Sequence, residues 1–397
     1  MGASLGHPSG TIADPSGAAA PSVAVTVKNL ETGAVRTTAT DESGRYQVFS
    51  LPIGQYEIRV TKQGFAEQVR TGIRLVVGQD ASVNIALGVG EMSQRVEVKA
   101  DAPLVSVTTK DTSGLVGEQQ VKSLPLNGRS YDLLLPLNPG IVNFTWEKTG
   151  GIGISNSTTG NNFAVSGKRP QQNLFLMNGV EYTGTAENNM TPGGTSQQLL
   201  GVDGIREFNV LRDSHGAEYG KRPGGQVIIV SESGSNQWHG SAFEFLRNNA
   251  LDAPNFFDQG SAPPFQRNQF GGSVGGPIQK ERTFVFANYE GHRQDLHQTS
   301  AAFVPDAASR AAAVPSVQPL LNLWPTPPPG APEFNGITQV FSSPPKGSER
   351  ILGLSALTTP SPRRIPSLAC IPLTTAATSP PRRSIHTAWT SSPCASR

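Results

Sequence analysis

Between His239 and Asn248 the chain reads "HGSAFEFLRN", and this alternation restricts the fold more tightly than any other stretch. On an extended strand, successive side chains point to opposite faces. His239, Ser241, Phe243, Phe245 and Arg247 therefore share one face, while Gly240, Ala242, Glu244 and Leu246 share the other. The first face is apolar at its centre; the second is mostly small or polar. Such a strand separates an oily medium from a wetter one, which puts the aromatic face on the oily side. A half-buried sandwich strand carries the same pattern, so the neighbouring strands have to decide.

Two neighbours follow. "RNQFGGSVGGPI" sets Phe270, Gly272 and Val274 against Gln269, Gly271 and Ser273, and "RTFVFANYEG" sets Phe284 and Phe286 against Val285, Ala287 and Tyr289. With 43 glycines, 32 prolines and only 16% charged residues, the composition favours short strands and tight turns over long helices. Strands in lipid must close into a barrel, because unpaired backbone groups are costly there. Three strands therefore read as the beginning of a transmembrane barrel that is incomplete. No run of eighteen apolar residues occurs, so no membrane-spanning helix is expected. The start, "MGASLGHPSG", lacks the basic and apolar regions of a secretory signal peptide. Either the chain stays in the cytoplasm or its true start lies upstream.

The N-terminal stretch has a different rhythm. Val23, Val25 and Val27, then Tyr46 and Val48, then Tyr56, Ile58 and Val60, then Val83, Ile85 and Leu87 each form one face of a strand. "DPSG", "ETG", "DESG" and "LPIG" lie between them as turns. That spacing predicts a small antiparallel sandwich. Within it, "TDESGRYQVFSLPIGQYEIRVTKQGF" resembles the carboxypeptidase regulatory-like domain, with Asp41, Gly44, Tyr46, Leu51, Pro52, Gly54, Tyr56 and Gly64 at that family's positions. The resemblance implies a non-catalytic, prealbumin-like fold of the carbohydrate-binding type. Carbohydrate binding through the sandwich is the alternative reading of function, with Tyr46, Phe49, Tyr56 and Phe65 as its aromatic candidates.

Beyond the sandwich the pattern mixes helix and strand. "EQQVKSLPLNGRSYDLLLPLNPG" predicts one helix around Val121 and Leu124 and a second over Tyr131–Leu135, with Pro136 and Pro139 as stops. "NNFAVSGKRPQQNLFLMNGVEY" predicts two strands and a turn at Asn178-Gly179. The blocks "LPLNGR", "VSGKRPQQNLFLMNGV", "IREFNV", "AEYGKRPGGQVIIVSESGSN" and "HGSAFEFLRN" occur in this order, and together they resemble the plug and first barrel strand of Oar-like TonB-dependent receptors. The resemblance covers roughly Ser9 to Ser343. It implies an outer-membrane receptor of a Gram-negative cell envelope that binds a substrate and imports or exports it with energy passed on by TonB and its inner-membrane complex. The substrate is unidentified, with carbohydrate among the candidates. The linker segment Gln94, Arg95, Val96, Glu97, Val98, Lys99 and Ala100 is similar to a TonB box, the short stretch that TonB takes up as a strand.

The expected fold class is mainly β: a prealbumin-like β-sandwich (carbohydrate-binding-like fold), an α+β plug domain, the first few strands of an incomplete transmembrane β-barrel, and a disordered tail. The corresponding boundaries are a disordered start over 1–8, the sandwich over 9–90, a linker with the candidate box over 91–107, and the plug over 108–235. Barrel strands follow over 236–300, then a Pro-rich loop over 301–349 and the tail over 350–397. From Arg350 onward there is no Asp, Glu, Asn, Gln, Lys, Val, Phe or Tyr, and the only charged residues are six arginines. That bias predicts a reading-frame shift near Pro345–Glu349, which makes the chain an N-terminal fragment of a longer receptor and by itself not transport-competent; a genuine Pro/Ser/Thr-rich disordered tail is the alternative. Cys370 and Cys394 both lie in this tail and carry no assigned role.

Enzymatic chemistry finds no support in the pattern. Asp213, Ser214 and His215 are adjacent, so on a strand they point to opposite faces and cannot form a serial relay. "GGIGIS" at Gly150–Ser155 has no βαβ unit around it. The six histidines (His7, His215, His239, His292, His297 and His386) show no metal-ligand spacing and read as surface or interface groups, so no cofactor or metal is expected. The net charge of +2 is spread along the chain, which argues against nucleic acid as a partner. Lys168, Arg169, Lys221 and Arg222 read as solvated charges or as plug cations that pair with acidic groups on the barrel wall.

Overall fold

The computed structural model describes residues 5–77, 81–90, 95–99, 112–126, 128–143, 163–181, 201–213, 219–254, 258, 262–297, 299–342, 345–358 and 369–377. Its N-terminal unit is the expected sandwich, built from β1 (Ser9–Ala13), β2 (Ala24–Asn29), β3 (Val35–Ala39), β4 (Arg45–Gln47), β5 (Gly54–Thr61), β6 (Phe65–Leu75), β7 (Ile85–Ala86) and β8 (Gly88–Val89). One sheet runs in the order β8-β6-β5-β2-β3 and the other in the order β4-β1-β7. The residues picked out by alternation fill the space between them, including Val25, Val27, Tyr46, Tyr56, Ile58, Val60 and Ile85. Burying a phenol requires a partner for its hydroxyl. Tyr46 donates to the Val83 carbonyl at 2.8 Å and Tyr56 to the Pro52 carbonyl at 2.7 Å. Burial pushes the Tyr56 hydroxyl up to about 12. In the "DESG" turn, Asp41 accepts from the backbone N–H groups of Ser43 and Arg45, while Gly44 takes φ +69° with its α-carbon against the Ile12 carbonyl. A side chain there would be strained by the backbone and would collide with β1.

The eleven-residue β6 is not visible as an alternation. Its pairing with β5 shifts register between Tyr56 and Ile58, and its buried positions change parity from Ala66 and Gln68 to Val69, Ile73 and Leu75. A bulge of this kind erases the period of two on which the sequence reading depends.

Next comes β9 (Arg95–Lys99), which pairs in parallel with β6. The plug consists of β10 (Thr112–Val116), α1 (Glu118–Ser123), a 3-10 run over Tyr131–Leu137, β11 (Leu174–Met177), β12 (Val180–Glu181), β13 (Ile205–Asp213) and β14 (Gln226–Ser231). Its mixed sheet is ordered β10-β13-β14-β11-β12, and every residue of β14 is buried. The hairpin between β11 and β12 turns on Asn178 and Gly179, both at positive φ, as the Asn-Gly pair predicts. Pro136 does not stop the second helix. It lies inside the 3-10 run, whose φ suits proline, and the chain leaves at Asn138–Gly140 instead.

The last sheet is an antiparallel succession of β15 (His239–Asn248), β16 (Phe265–Gln279), β17 (Thr283–His297), β18 (Pro345–Thr358) and β19 (Ala369–Ala377). Within 350–358 and 369–377 the chain forms strands where a disordered tail is expected; the other residues beyond Arg350 lie outside the described residues. β18 pairs with β17 from Pro345 opposite His297 to Thr358 opposite Phe284, and β19 then pairs with β18. Pairing runs through backbone groups, and the long edge of β17 supplies a row of them regardless of side-chain bias. Pro372 falls in the outermost of these strands, where proline is tolerated.

Candidate functional site

The two faces of the wall differ chemically. On β17, Phe284, Phe286, Asn288, Glu290 and His292 are buried, while Tyr289 between them is exposed. The register sets Gln269 of β16 beside His292, and Gly271 beside Glu290 and Phe243. This is the face turned to the plug. The opposite face presents Ala242, Leu246, Val274 and Tyr289 outward. Phe243 and Phe245 thus look inward, the reverse of the orientation expected from their strand alone. Alternation defines two faces; only the packing partner says which of them is inside.

That partner is Arg129. The "LNGR" turn holds Gly128 at φ +75° and Arg129 at φ +51°, a left-handed pair that points the guanidinium at the wall. The guanidinium centre lies 3.8 Å from the Phe243 ring centroid and 5.2 Å from that of Phe245. It pairs with Asp203 of the plug, and its Nε lies 3.6 Å from Glu290 Oε1 on the wall. Gln269 donates to Glu290 at 2.7 Å and to the Gly128 carbonyl at 3.2 Å, and Ser241 donates to Asp203 at 2.8 Å. Gly201 leaves room for the Glu290 carboxylate where any side chain would stand. Plug loop, plug turn and three wall strands therefore meet at one charged cluster, in which Arg129 is only 12% exposed. Removing one member of such a cluster strands the others, at a cost of about 3–5 kcal/mol.

A second interface joins plug and sandwich. Two residues past the end of β6, Val77 donates its N–H to Glu207 at 2.6 Å and accepts from the Asn209 side chain at 3.0 Å. Arg74 stands 3.6 Å from the same Glu207, and Arg206 donates to Glu31 at 2.7 Å. Ile53 and Val77 of the sandwich pack with Leu211, Ile228 and Val230 of the plug. Burial raises the Glu207 carboxyl above its ordinary value, offset in part by the Val77 N–H and by Arg206 and Arg74. At the rim, burial works against the charge on Lys122, but Glu232 and Glu118 outweigh it and hold the ammonium above its usual range.

The candidate box residues Arg95, Val96, Glu97, Val98 and Lys99 form β9, in register with Glu67, Gln68, Val69, Arg70 and Thr71 of β6. Gln94 and Ala100 lie outside the described residues, as do Ser214, His215, the Gly150–Ser155 loop, His386 and Cys394. The cations singled out in the plug behave differently from the expectation of wall pairing: Lys221 and Arg222 pair with Glu181, within the plug itself. Arg129 is the cation that reaches the wall. It stood in plain view in "LPLNGR", but its role depends on Asp203 and Glu290, which are remote in sequence. Among the histidines, His292 is buried on the inner face, whereas His239 is exposed and stacks on Phe286. No cluster of three or more metal-ligating side chains occurs among the described residues.

The ends of the wall can be told apart. The short turn between β16 and β17 bonds through the Glu281 N–H to Asn236, whose own N–H bonds to Glu31 of the sandwich. The longer connections, over 249–264 and 298–344, leave from the opposite end. The sandwich therefore sits at the end of the wall that carries this short turn.

Sandwich, plug and amphipathic wall together define an outer-membrane β-barrel protein with an accessory domain. Residues 230–377 match the outer membrane beta barrel domain family, and residues 9–88 match the carboxypeptidase regulatory-like domain. The TonB-dependent transporter Oar of Myxococcus xanthus is 25% identical over 282 residues, which is 67% of this chain and 25% of the relative. The ferrienterobactin receptor of Escherichia coli K12 is 28% identical over 223 residues, covering 52% of this chain and 26% of the relative. The outer membrane transporter YddB of Escherichia coli aligns with a TM-score of 0.40 at 15% identity, over 64% of this chain and 31% of that one. Along sandwich, plug and wall, the chain is similar to TonB-dependent receptors and transporters of the outer membrane. It spans about a quarter of the length of these two curated relatives.

Proposed function

We propose that the chain carries the energy-coupling end of an outer-membrane transporter: a substrate binds above the plug, TonB engages Gln94–Ala100, and the plug moves against the wall. The observation that carries this reading is the plug-to-wall cluster around Arg129. It is charged, buried and dispersed over five segments, so a small displacement of the plug breaks it as a unit. TonB's energy comes from its inner-membrane complex, and the substrate approaches from the end that carries the long connections. No covalent chemistry is required, which fits relatives that are transporters and receptors.

The alternative, sugar binding by the sandwich, needs exposed rings that form a platform. Two of its four candidates, Tyr46 and Tyr56, are core residues at 3% and 2% exposure. Phe49 is exposed but tilts against His7, and Phe65 is partly buried. The observations favour transport.

Photo-crosslinking tests the box. With a photoreactive residue in place of Glu97, a crosslink to the periplasmic domain of TonB is expected, and Val98→Pro should abolish it. A crosslink indifferent to Val98→Pro would remove the assignment.

A further inference from the structure

β9 is held in a particular way. The outer edge of β6 is covered at Phe65 and Ala66 by the antiparallel β8, and from Glu67 to Thr71 by the parallel β9. β8 and β9 run in opposite directions on that one edge, and five residues separate Val89 from Arg95. Five residues span at most about 18 Å, so the link tethers the segment to the sandwich. In a parallel pair, a strand's backbone groups point alternately to its two sides. β9 therefore uses half of its amides and carbonyls on β6. Among the described residues, no strand pairs with its other side.

The strand that carries β9 is itself fixed to the plug. Just beyond its last residue, Leu75, the backbone of Val77 is gripped on both sides by Glu207 and Asn209 of β13, and Val77 packs on Leu211 and Ile228. A continuous path of backbone pairing and buried hydrogen bonds thus runs from β9 through β6 into the central plug sheet.

We propose that the sandwich presents Arg95–Lys99 as a ready-made edge strand, and that TonB docks by adding a strand to its open side without pulling it off β6. The inference rests on the assignment of the box given above. Pre-ordering the segment removes the cost of fixing an extended peptide when the partner arrives. It also gives the accessory domain a role: the pull enters the plug through the sandwich as well as along the chain.

Residue-resolved hydrogen exchange on the full chain in detergent, with and without the periplasmic domain of TonB, tests this. In the free chain, alternate amides within Arg95–Lys99 should be protected. On addition of TonB they should stay protected, while the complementary amides gain at least tenfold protection. Free exchange of all five amides before TonB is added would overturn the proposal, and so would loss of the first set on binding, which would show displacement from β6.

A disulfide lock gives a second, independent reading. In a chain carrying Cys370→Ser and Cys394→Ser, Arg70→Cys and Val98→Cys join two register partners of β6 and β9. The oxidised chain should bind TonB within about threefold of the reduced one, whereas loss of binding on oxidation alone would overturn presentation and leave the box assignment standing. If the unlocked, unsubstituted chain fails to bind TonB, the box assignment fails and the proposal with it.

Discussion

The plug has two partners, and it meets them with different chemistry. Toward the sandwich it uses ion pairs together with an apolar cluster of Ile53, Val77, Leu211, Ile228 and Val230. Toward the wall it uses Arg129, Asp203, Glu290, Gln269 and Ser241, with two aromatic rings beneath the guanidinium, and no buried apolar cluster joins the two among the described residues. Apolar contact is lost gradually and in proportion to area, so it suits a joint that stays closed. A buried ion cluster fails as a unit once one member leaves, so it suits a joint that has to open. The difference makes the sandwich–plug contact the firmer of the two joints and the plug–wall contact the one that a single broken ion pair would open.

The comparison breaks most sharply at Arg129. Arg129→Ala leaves the carboxylates of Asp203 and Glu290 facing each other without their cation, and should loosen the plug from the wall by about 3–5 kcal/mol. Hydrogen exchange should show faster opening of the "LNGR" turn and of Val202–Gly204, while Val77 stays protected. Equal loosening at Val77 would mean that the two joints are not separate. Leu211→Ala attacks the other joint. Truncation of this buried leucine should cost about 2–4 kcal/mol, exposing the chain around Val77 to protease and leaving the Arg129 cluster intact.

pH provides a milder probe. The Glu207 carboxyl is raised by burial, so the docked state binds its proton more tightly than the free chain does. Docking should therefore be strongest below about pH 4.5, the ordinary glutamate value, and should weaken as pH climbs through the raised one. Thermal release of the sandwich, followed from pH 4 to 8, should show this slope, and Glu207→Gln should flatten it. The smallest effect is expected at the rim. Lys122 is about one-third exposed, so Lys122→Ala should change docking by less than about 1 kcal/mol, read from the same melting curves.

Much of this was legible in the sequence because it depends on local periodicity. Tyr46, Val48, Tyr56 and Ile58 show their burial through alternation, and Asn178-Gly179 shows its turn through the positive φ that both residues tolerate. β6 was hidden by its bulge, and β18 and β19 by a composition that gave no reason to expect pairing. The candidate box could be picked out as an extended segment, but its seat on β6 could not, since a parallel partner is chosen by space and not by spacing in the chain.

The amino-acid sequence by itself determined the order of sandwich, plug and wall, the turns, and which side chains share a face, because these follow from backbone geometry over a few residues. Only the tertiary structure decided which face of β15 looks inward and that Arg129, not Lys221 or Arg222, is the cation on the wall. It also decided that β9 rests on β6. Each of these depends on groups tens of residues apart, and a charge or a strand edge takes its meaning from whatever the fold places opposite it.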